Sequence, residues 1–445
     1  MHVLGDWHPR TDQEPLWRYL LTGGKRAVMV AHRRWGKDDV ALRFAAWAMG
    51  NRVGNYWHML PEYNQARKSI WLAINPHTGT RRTDETFHEA ARAKTKDQEM
   101  MIEFTNGSTW QLVGSDTYNS LVGSSPVGIV FSEWALANPQ AWVYLAPILE
   151  ENDGWALFIY TPRGNNHGRT MLRTATSSEG WFGKLMAADR TPVFNLGQLA
   201  AIRTNLVSIY GEEQGEAFFK QEYFCSFDSA VYGAYYAKQL AAARKDGRIG
   251  NVPHVPNFEV YTAWDLGVDD STSIWFFQVV GKEFRFIDYY ENVGYGMAHY
   301  AKVLKEKPYV YGDHYMPHDA DQRIQGESEI AKSKKEIAEQ LGIKPVMVCP
   351  RPRNIEAVLL GIETGRNVLA QCWFDEKRCS HGLSALEGYR SEYDEEKKKL
   401  ANRPLHDWCS HGADAFRTFA VGYRPQEIFK SVTDELNAVD LRGRW

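Results

Sequence analysis

Residues 27–38 read AVMVAHRRWGKD, and this stretch decides how the first half of the chain folds. The apolar run Ala27–Val30 predicts a strand, and a helical stretch begins near Val40. A strand that enters a tight loop and then a helix directs backbone N–H groups and the positive helix end at a phosphate, and a lysine can reach the β and γ oxygens. Gly36 and Lys37 fit these roles, so the loop predicts a phosphate-binding site. An ordinary basic turn before a helix is the alternative for the loop taken alone.

Two positions of this loop depart from the phosphate-loop pattern GxxxxGK[ST]. Ala31 replaces the first glycine, and Asp38 replaces the Ser or Thr that normally holds magnesium. The arginines leave several roles open: Arg33 and Arg34 could each touch phosphate, or one of them could act as an arginine finger, with Arg163 as a further candidate. The sequence does not decide among these arginines.

Three further apolar runs follow in the first part of the chain, YWHML at 56–60, GIVF at 128–131 and ALFIY at 156–160. Each run is short, largely unalternated and bounded by Gly, Pro or polar residues, which is typical of strands buried on both faces. Helical stretches alternate with these runs between about Lys25 and Pro162. The pattern predicts an α/β domain in which helices cover a sheet.

A second block of strands begins after the proline-containing segment 250–256, GNVPHVP, which disfavours continued helix, and we place a domain boundary there. The strands EVYTAWD at 259–265, SIWFFQ at 273–278 and EFRFID at 283–288 are joined by short turns. They predict an antiparallel meander. Further helices are predicted around 298–305, 329–341 and 413–423, and further strands near Val310 and Val346.

Three acids in this second block lie at or near predicted strand and helix ends. Asp265 ends the first strand of the meander, Asp319 follows the strand near Val310, and Asp414 opens the last helix. Any one of them alone would by default be a helix cap or a solvated residue. An RNase H-like sheet would unite all three, and such carboxylates can hold two Mg²⁺ or Mn²⁺ ions about 4 Å apart. Hard oxygen ligands suit these cations better than zinc.

In chain order, the segments RRWGK at 33–37, SEW at 132–134 and TPRGNNH at 161–167 resemble the ATPase motifs of the large terminase subunits of tailed bacteriophages. The resemblance implies that the first segment is a deviant Walker A loop. It implies that Glu133, at the end of Walker B, is the base that polarises the water attacking the γ-phosphate. The third segment, which begins at Thr161, is implied to be a coupling motif that senses the nucleotide state.

The same resemblance implies a set of residues that bind Mg-ATP. These residues are Gln13, Arg33, Arg34, Trp35, Gly36, Lys37 and Asp38. Gln13 stands where the family has an adenine-recognition glutamine, with a surface role as the alternative. Ser132 stands where Walker B normally carries aspartate, so Asp38 could supply the missing carboxylate and Ser132 the missing hydroxyl to one Mg²⁺. A degenerate site that binds nucleotide without turnover is the other interpretation.

Three segments of the second block, WDLG at 264–267, PHDA at 317–320 and HGADAFR at 411–417, resemble the terminase nuclease motifs. The catalytic acids and ligands of two Mg²⁺ or Mn²⁺ ions that the resemblance implies are Asp265, Asp319 and Asp414. Auxiliary candidates are Asp270, Asp288 and Asp407. His318 and His411 lie close to two of these acids and could assist the metal site, with solvent-facing roles as the alternative.

The resemblance extends from about Gln13 to Tyr423 and implies the domain organisation. The expected parts are a P-loop ATPase domain of the additional-strand class at 1–205, a linker region at 206–256, an RNase H-like nuclease domain at 257–423 and a C-terminal tail at 424–445.

The resemblance also implies what the protein does and with which partners. The expected activity is ATP-driven translocation of double-stranded viral DNA into a procapsid, together with metal-dependent cutting of concatemeric DNA. The expected partners are the portal protein, the small terminase subunit and further copies of the chain in a ring, commonly a pentamer. The expected location is the host cytoplasm, with transient attachment to the procapsid and absence from the mature virion.

Composition narrows these expectations only slightly. The formal net charge of −3 over 445 residues neither indicates nor excludes a nucleic-acid partner, because a basic groove can occur in a nearly neutral protein. The sequence has no apolar run near the ~20 residues needed to cross a bilayer. The cysteines are odd in number, widely spaced and without a CxxC pair, so they are predicted to be reduced thiols. They are Cys225, Cys349, Cys372, Cys379 and Cys409.

Three other classes of protein share part of this pattern. A recombination nuclease or transposase with an RNase H-like fold would explain the acids but not the phosphate loop or Glu133. A nucleotide-gated DNA-binding scaffold with two degenerate sites would explain Asp38 and Ser132 but would leave the order of the acids as coincidence. A helicase is disfavoured because the motifs of a second ATPase lobe are missing from the sequence.

Overall fold

The computed structural model describes residues 7–121, 123–228, 233–267, 271–324, 332–394 and 399–423. The chain forms two compact units, Met1–Lys238 with Glu387–Ser391 and Gln239–Leu386 with Glu392–Trp445. The domain limits at 205, 256 and 423 stay a prediction. Asp270 and the expected C-terminal tail lie outside the described residues.

The first unit alternates strands with helices along the chain. Its strands are β1 Arg26–Ala31, β2 Asn55–Leu60, β3 Arg92–Lys96, β4 Met101–Phe104, β5 Thr109–Gly114, β6 Pro126–Ser132, β7 Trp155–Tyr160 and β8 Trp181–Met186. Its helices are α1 Glu14–Leu21, α2 Lys37–Asn51, α3 Tyr63–Ala66, α4 Arg82–Thr86, α5 Gln140–Glu151, α6 His167–Ser177, α7 Leu196–Tyr210 and α8 Glu212–Phe224.

These eight strands form one sheet in the order β3-β4-β5-β2-β6-β7-β1-β8. The strands from β5 to β8 in this order are parallel to their neighbours, and β3 and β4 form an antiparallel edge. Strand β7 lies between β1, which leads into the phosphate loop, and β6, which ends at Ser132. An extra strand at this position defines the additional-strand class of ATPases, so the predicted fold of the first unit is confirmed.

The central strands are buried because helices cover both faces of the sheet. Every residue of β1, β6 and β7 except Trp155 is buried. Along β1 the side chains alternate between two cores: Ala27 and Met29 pack on one face, and Val28 and Val30 on the other. This burial on both faces explains why the strands read as continuous apolar runs rather than as alternating ones.

Strand β8 was not predicted from the sequence. None of the strands predicted from the sequence covers Trp181–Met186, yet this segment pairs with β1 in parallel at the edge of the sheet. Its first five residues are only half-buried, and Gly183 interrupts its apolar pattern. An edge strand of this kind carries too little apolar periodicity to be recognised from sequence alone.

The second unit contains a meander followed by helices and short strands. Its strands are β9 Ile249–Gly250, β10 Val260–Asp265, β11 Ser271–Val280, β12 Glu283–Val293, β13 Tyr311–Met316, β14 Arg323–Ile324, β15 Lys332–Ser333, β16 Val346–Val348, β17 Cys372–Asp375, β18 Ser391–Asp394 and β19 Lys399–Pro404. The helices from the junction onward are α9 Ala237–Lys245, α10 Met297–Glu306, α11 Lys334–Gln340, α12 Ile355–Val368, α13 Ser380–Gly388 and α14 Trp408–Gly422.

Seven of these strands form the main sheet of the second unit, in the order β16-β13-β10-β11-β12-β17-β9. Strands β10, β11 and β12 are antiparallel, as the meander was predicted to be, whereas β13 and β16 continue in parallel on the far side of β10. Helix α14 packs against β10 and β11. This strand order with a C-terminal helix on the sheet confirms the predicted RNase H-like fold.

The start of the last helix differs from the prediction. The sequence placed Asp414 at its opening, but α14 begins at Trp408, so Asp414 lies in its second turn. The side chain of Asp407 accepts a hydrogen bond from Cys409 N and caps the helix. Local sequence missed the helix start because the residues after the cap, Trp408 and Cys409, are poor markers of a first helical turn.

Trp275 in β11 packs at the centre of the second unit, and its replacement by alanine should be strongly destabilising. Its ring is fully buried, its Nε1 donates to Gly412 O over 2.8 Å, and an added Cβ at Gly382 would lie 2.5 Å from it. We expect Trp275→Ala to lower the free energy of unfolding of this unit by about 3–5 kcal/mol, measured by urea denaturation. Phe258→Ala removes a ring that is 40% exposed and should cost less than about 1 kcal/mol. Equal losses in the two variants would contradict this account of the core.

Candidate active sites

The phosphate loop takes a shape that glycine favours. Gly36 has a positive φ of 88° and precedes the first residue of α2, and Arg34 also has a positive φ, of 70°. The left-handed conformation costs little for glycine but is strained for other residues. The loop therefore turns sharply at the end of β1 and presents Lys37 at the start of α2.

Lys37 connects the three motifs of the predicted ATPase site. Its side chain is buried, its Nζ donates to Thr161 Oγ1 over 3.0 Å, and the same Nζ lies 3.9 Å from Glu133 Oε1. Thr161 follows β7, and Glu133 follows β6. The structure thus brings the lysine, the acid and the threonine together from three parallel strands, as the motif order suggested.

The segment after Thr161 is held to the segment after Glu133 by hydrogen bonds. Asn166 Nδ2 donates to Ala135 O over 2.7 Å, and His167 Nε2 lies 2.7 Å from Trp134 O. Thr161 Oγ1 in turn donates to Ala31 O over 3.0 Å, at the end of β1. These hydrogen bonds therefore connect the phosphate loop to the start of α6, so that a displacement of the loop would move the first residues of α6.

Asp38 and Ser132, the two departures from the family pattern, are hydrogen-bonded to each other. Ser132 Oγ donates to Asp38 Oδ1 over 2.6 Å, and His58 Nε2 lies 3.3 Å from the same oxygen. Burial raises the pKa of Asp38, but the hydrogen bond and charge of His58 and the hydrogen bond from Ser132 outweigh burial and hold the pKa well below its usual range. Asp38 is therefore ionised at neutral pH, which suits a cation ligand.

Glu133 has a strained backbone and an unsatisfied oxygen. Its φ is 50°, a left-handed conformation that costs about 1–3 kcal/mol in a residue other than glycine. Its Oε2 is buried and has no hydrogen-bond partner among the described residues. A buried carboxylate oxygen without a partner is available to accept a hydrogen bond from a bound water.

Gln13 and Trp35 support the phosphate loop from the inside. Gln13 is 3% exposed, its Nε2 donates to Trp35 O over 3.1 Å, and its Oε1 accepts from Arg10 N over 3.1 Å. The surface role considered for Gln13 is thus wrong, because the side chain is buried. The Trp35 ring is fully buried and Arg10 lies over it at 6.0 Å.

The three arginines considered as fingers occupy different surroundings. Arg33 is 63% exposed, its backbone N donates to Glu222 O over 2.8 Å, and its Nη1 lies 3.8 Å from Glu222 Oε2. Arg163 Nη1 donates to Glu222 Oε1. Arg34 is exposed and makes no hydrogen bond or ion pair with another described residue. Glu222 in α8 was missed by the sequence analysis, since no local pattern marks a glutamate as a long-range partner.

In the second unit, Asp265 and Asp414 are near enough to influence each other. His411 Nδ1 lies 3.5 Å from Asp265 Oδ2, and Arg417 Nη2 lies 3.3 Å from Asp414 Oδ1. Burial raises the pKa of Asp265 to about 6, the hydrogen bond from His411 opposes this rise, and the negative charge of Asp414 adds to it. A site that disfavours its own anionic carboxylate is one that a divalent cation would stabilise.

Asp319 lies at the same edge of the sheet but is engaged differently. Strand β13 pairs in parallel with β10, with Ala263 opposite Tyr315, so the segment after β13 emerges beside Asp265. Lys334 Nζ donates to Asp319 Oδ2 over 3.1 Å. Within the described ranges, no three His, Cys, Asp or Glu side chains are grouped closely enough to hold one metal ion. Asp265 and Asp414 therefore lie close to each other, whereas Asp319 is hydrogen-bonded to Lys334.

A buried acid that the sequence analysis missed lies on the same face. Asp265 is opposite Ser273, and Ser273 is opposite Glu291, across β10, β11 and β12. The Tyr289 hydroxyl donates to Glu291 Oε2 and lies 3.1 Å from Ser273 Oγ, and His381 Nε2 lies 3.3 Å from the same Glu291 oxygen. Burial raises the pKa of Glu291, but the charge and hydrogen bond of His381 with the Tyr289 hydrogen bond lower it to about 2. The sequence did contain one signal for this acid, because Glu291 occupies an inward-facing position of β12.

The auxiliary candidates are placed as follows. Asp288 is paired with Lys307 Nζ and accepts a hydrogen bond from the Tyr309 hydroxyl over 3.1 Å. Asp407 caps α14. His318 is half-buried at the turn that carries Asp319. None of these placements tests a role in metal binding, which stays a prediction for each of them.

Comparison with known proteins supports the resemblance drawn from the motifs. The chain is 25% identical over 349 residues to the large terminase subunit of Escherichia phage T5, which covers 74% of this chain and 72% of the relative. No protein-family model matches the chain. The two units are of the ATPase and RNase H-like classes, and the resemblance to the large terminase subunits of phages is confirmed.

Solved structures of large terminases are similar to this chain only at low TM-scores. The large terminase from the thermophilic bacteriophage D6E in complex with ADP has a TM-score of 0.39 at 16% identity, with 92% of this chain and 98% of that chain covered. The large terminase nuclease domain from bacteriophage SPP1 with bound Mn has a TM-score of 0.26 at 13% identity, with 36% and 84% covered. The fold assignment rests on the strand order rather than on these scores. No helix in the described part of the chain has the length and apolarity to span a membrane.

Asp265→Asn should stabilise the second unit at high pH. The folded-state pKa of about 6 lies above the ~3.9 of an unfolded aspartate, so the protonated form favours folding below about pH 4 and this stability is lost as the pH rises to about 6. The free energy of unfolding of the variant minus that of wild type should therefore be about 1–3 kcal/mol larger at pH 8 than at pH 4. The measurement is urea denaturation at the two pH values in metal-free buffer. Asp321→Asn controls for the loss of an exposed charge, and a difference independent of pH would refute the prediction.

Proposed function

We propose that this chain is the motor subunit of a DNA-packaging machine, with ATP hydrolysis in the first unit and metal-dependent DNA cleavage in the second. The observation that carries the proposal is the contact of Lys37 with Thr161 and Glu133, because it unites the three predicted ATPase motifs in one place. The similarity to the T5 large terminase subunit supports the same function over most of the chain.

In the first unit, each role follows from the chemistry of ATP hydrolysis. Lys37 and the N–H groups at the start of α2 would bind the β and γ phosphates. Glu133, with its unsatisfied Oε2, would orient and deprotonate the attacking water. Asp38 and Ser132 would hold the Mg²⁺ of Mg-ATP, since a carboxylate and a hydroxyl are both oxygen ligands. Thr161 would pass the state of Lys37 on to α6 through the backbone contacts of residues 161–167.

In the second unit, the acids would hold Mg²⁺ or Mn²⁺ for cleavage of the phosphodiester bond. Asp265 and Asp414 fit a hard divalent cation through their donor atoms and through the raised pKa of Asp265. Asp319 joins them only when it exchanges Lys334 for the metal. A bound metal pair supplies an activated water and stabilises the leaving oxygen. His411 beside Asp265 would hold that carboxylate in position.

The proposal extends to the assembly. We infer that the chain acts on double-stranded DNA, with a portal protein and a small terminase subunit as partners, and as a homo-oligomeric ring, of which the pentamer is the expected form. It would act in the host cytoplasm and leave the procapsid once packaging ends. A recombination nuclease is the second candidate, but it has no use for the Lys37–Thr161 contact in the first unit.

Two substitutions should separate the two activities. Glu133→Gln keeps the shape of the side chain but cannot accept a proton, so ATP hydrolysis should fall about 100-fold or more while Mn²⁺-dependent cutting of supercoiled plasmid persists. Asp265→Asn should abolish cutting and leave ATP hydrolysis intact. The measurements are phosphate release and gel electrophoresis of the plasmid. Cutting by wild type without any ATP hydrolysis, even with portal and DNA present, would favour the recombination nuclease, and neither activity would favour the scaffold.

Asp38→Ala should impair ATP hydrolysis in a way that depends on Mg²⁺. The change removes the carboxylate that accepts from Ser132, so the Mg²⁺ concentration for half-maximal hydrolysis should rise about tenfold, as for the loss of about 1.4 kcal/mol of binding. Asp39→Ala, at the next residue of α2, removes an acid whose Oδ2 accepts from Trp7 Nε1 over 2.9 Å and should leave the Mg²⁺ dependence unchanged. Magnesium-dependent hydrolysis that survives Asp38→Ala unchanged would show that Asp38 does not hold the metal.

A further inference from the structure

Two adjoining cavities in the second unit are lined by residues that neighbour two of the candidate nuclease acids. One has a volume of about 190 Å³ and lies between α12, α14 and residues 349–352, and the other, of about 400 Å³, continues it toward Asp321. The residues that line both are His318, Cys349, Pro350 and Arg351. We refer to these cavities together as the Arg351 groove.

The walls of the Arg351 groove contact both the Asp319 turn and the Asp414 helix. His318 precedes Asp319 in the chain, and Arg417, which lines the first cavity, lies 3.3 Å from Asp414 through its Nη2. The groove therefore adjoins the candidate cleavage site through His318 and Arg417, although none of the three candidate acids lines it.

The charge of the groove is mainly positive. Among the described lining residues, Arg351 and Arg417 are cations and Asp321 is the single carboxylate. Arg353 follows two residues after Arg351 and is also exposed. Neither Arg351 nor Arg353 makes a hydrogen bond or ion pair with another residue of the described ranges. Within the described ranges, therefore, the donors of both guanidinium groups are not used by the protein.

The backbone that carries these arginines is restricted. The segment reads CPRPR at 349–353, so each arginine follows a proline whose ring fixes φ near about −65°. Restricting the chain lowers the conformational entropy that is lost on binding. The two arginine Cα atoms are at most ~7 Å apart, and phosphates of one duplex strand advance about 3.4 Å along the axis per nucleotide, so the two side chains can reach phosphates one or two nucleotides apart.

We propose that the Arg351 groove, with Arg351 and Arg353 at its rim, binds the sugar–phosphate backbone of DNA next to the bond that is cut. This inference rests on the proposed function. A polyanion that approaches Asp265, Asp319 and Asp414 needs cations beside them, because acids alone repel phosphate. Arginine suits this role since its planar fork binds phosphate oxygens in pairs. Backbone binding of this kind holds DNA of any sequence in position.

The test compares two charge-matched double variants of the full chain. Arg351→Ala with Arg353→Ala removes the groove cations. Lys282→Ala with Lys305→Ala removes two exposed lysines of the same unit. Lys282 lies in the turn after β11, and Asp265 is opposite Ser273 near the other end of that strand, so about 23 Å of strand separates the two. Binding of a fluorescein-labelled blunt 30-base-pair duplex is measured by anisotropy in Ca²⁺ at several salt concentrations.

We expect the arginine variant to bind the duplex about 10-fold more weakly at 0.1 M salt, with the slope of log K against log salt reduced by about 1 to 2. The lysine variant should bind like wild type. Arg351→Lys with Arg353→Lys should recover part of the affinity and most of the salt slope. Lysine restores both positive charges but lacks the planar guanidinium that binds two phosphate oxygens at once. In Mn²⁺, KM for plasmid should rise with the loss of affinity while kcat stays within about twofold.

Each outcome separates this inference from the proposed function. If the arginine variant binds with the affinity and salt slope of wild type, the groove is not a DNA site, whatever the nuclease assay shows. If both double variants weaken binding equally, the loss comes from the lower total positive charge and not from the groove, and the inference is again wrong. If wild type binds DNA through the arginines but does not cut it in Mn²⁺, the inference stands and the proposed nuclease fails. Thermal melting of every variant near the wild-type midpoint ensures that the comparison is between folded proteins.

Discussion

The parallel pairing of β6, β7 and β1 is the constraint on which the first site depends. Parallel neighbours end at the same edge of a sheet, and ligands of such sheets bind beyond the carboxyl ends of the strands. Glu133 and Thr161 come directly after their strands, and Lys37 follows a loop of five residues after β1. A shift of register by one residue would turn the side chains at these strand ends to the opposite face of the sheet. The hydrogen bond from Lys37 to Thr161 is thus a consequence of the strand order.

The sequence predicted the parts of the structure that have a local signal. Buried parallel strands read as apolar runs, so β1, β2, β6 and β7 were found, and the turn chemistry around Gly36 identified the phosphate loop. Strand β8 was missed because an edge strand has a weak pattern, and the start of α14 was misplaced because its capping residue, Asp407, had been considered only as an acid. For β8 the deciding contact is tertiary, its pairing with β1, and propensity alone does not contain it.

The candidate site residues also divide into those with a local sequence signal and those without one. Lys37, Glu133 and Thr161 belong to motifs, so their association could be predicted before any contact was known. His58 contacts Asp38 and Glu222 contacts Arg163 from elements 20 or more residues away in sequence, and nothing near them in the chain marks them as partners. Glu291 in the second unit lies across the strands from Asp265 and is likewise unmarked by its neighbours in the chain. Motif residues are therefore easier to predict from sequence than the residues that contact them in the folded chain.

The two sites control their carboxylates in opposite directions, and this bears on how each would accept a cation. His58 and Ser132 stabilise the anion of Asp38, so this carboxylate is ionised at neutral pH. Burial and the charge of Asp414 destabilise the anion of Asp265. The protein's own cations, Lys334 and Arg417, already neutralise the other two acids of the predicted set. A divalent ion held by all three acids would have to displace those ion pairs. The attraction between the ion and the buried anion of Asp265 is the interaction that would favour this exchange. Because Arg417 also lines the Arg351 groove, a metal ion that displaced Arg417 from Asp414 would leave its guanidinium free to bind phosphate.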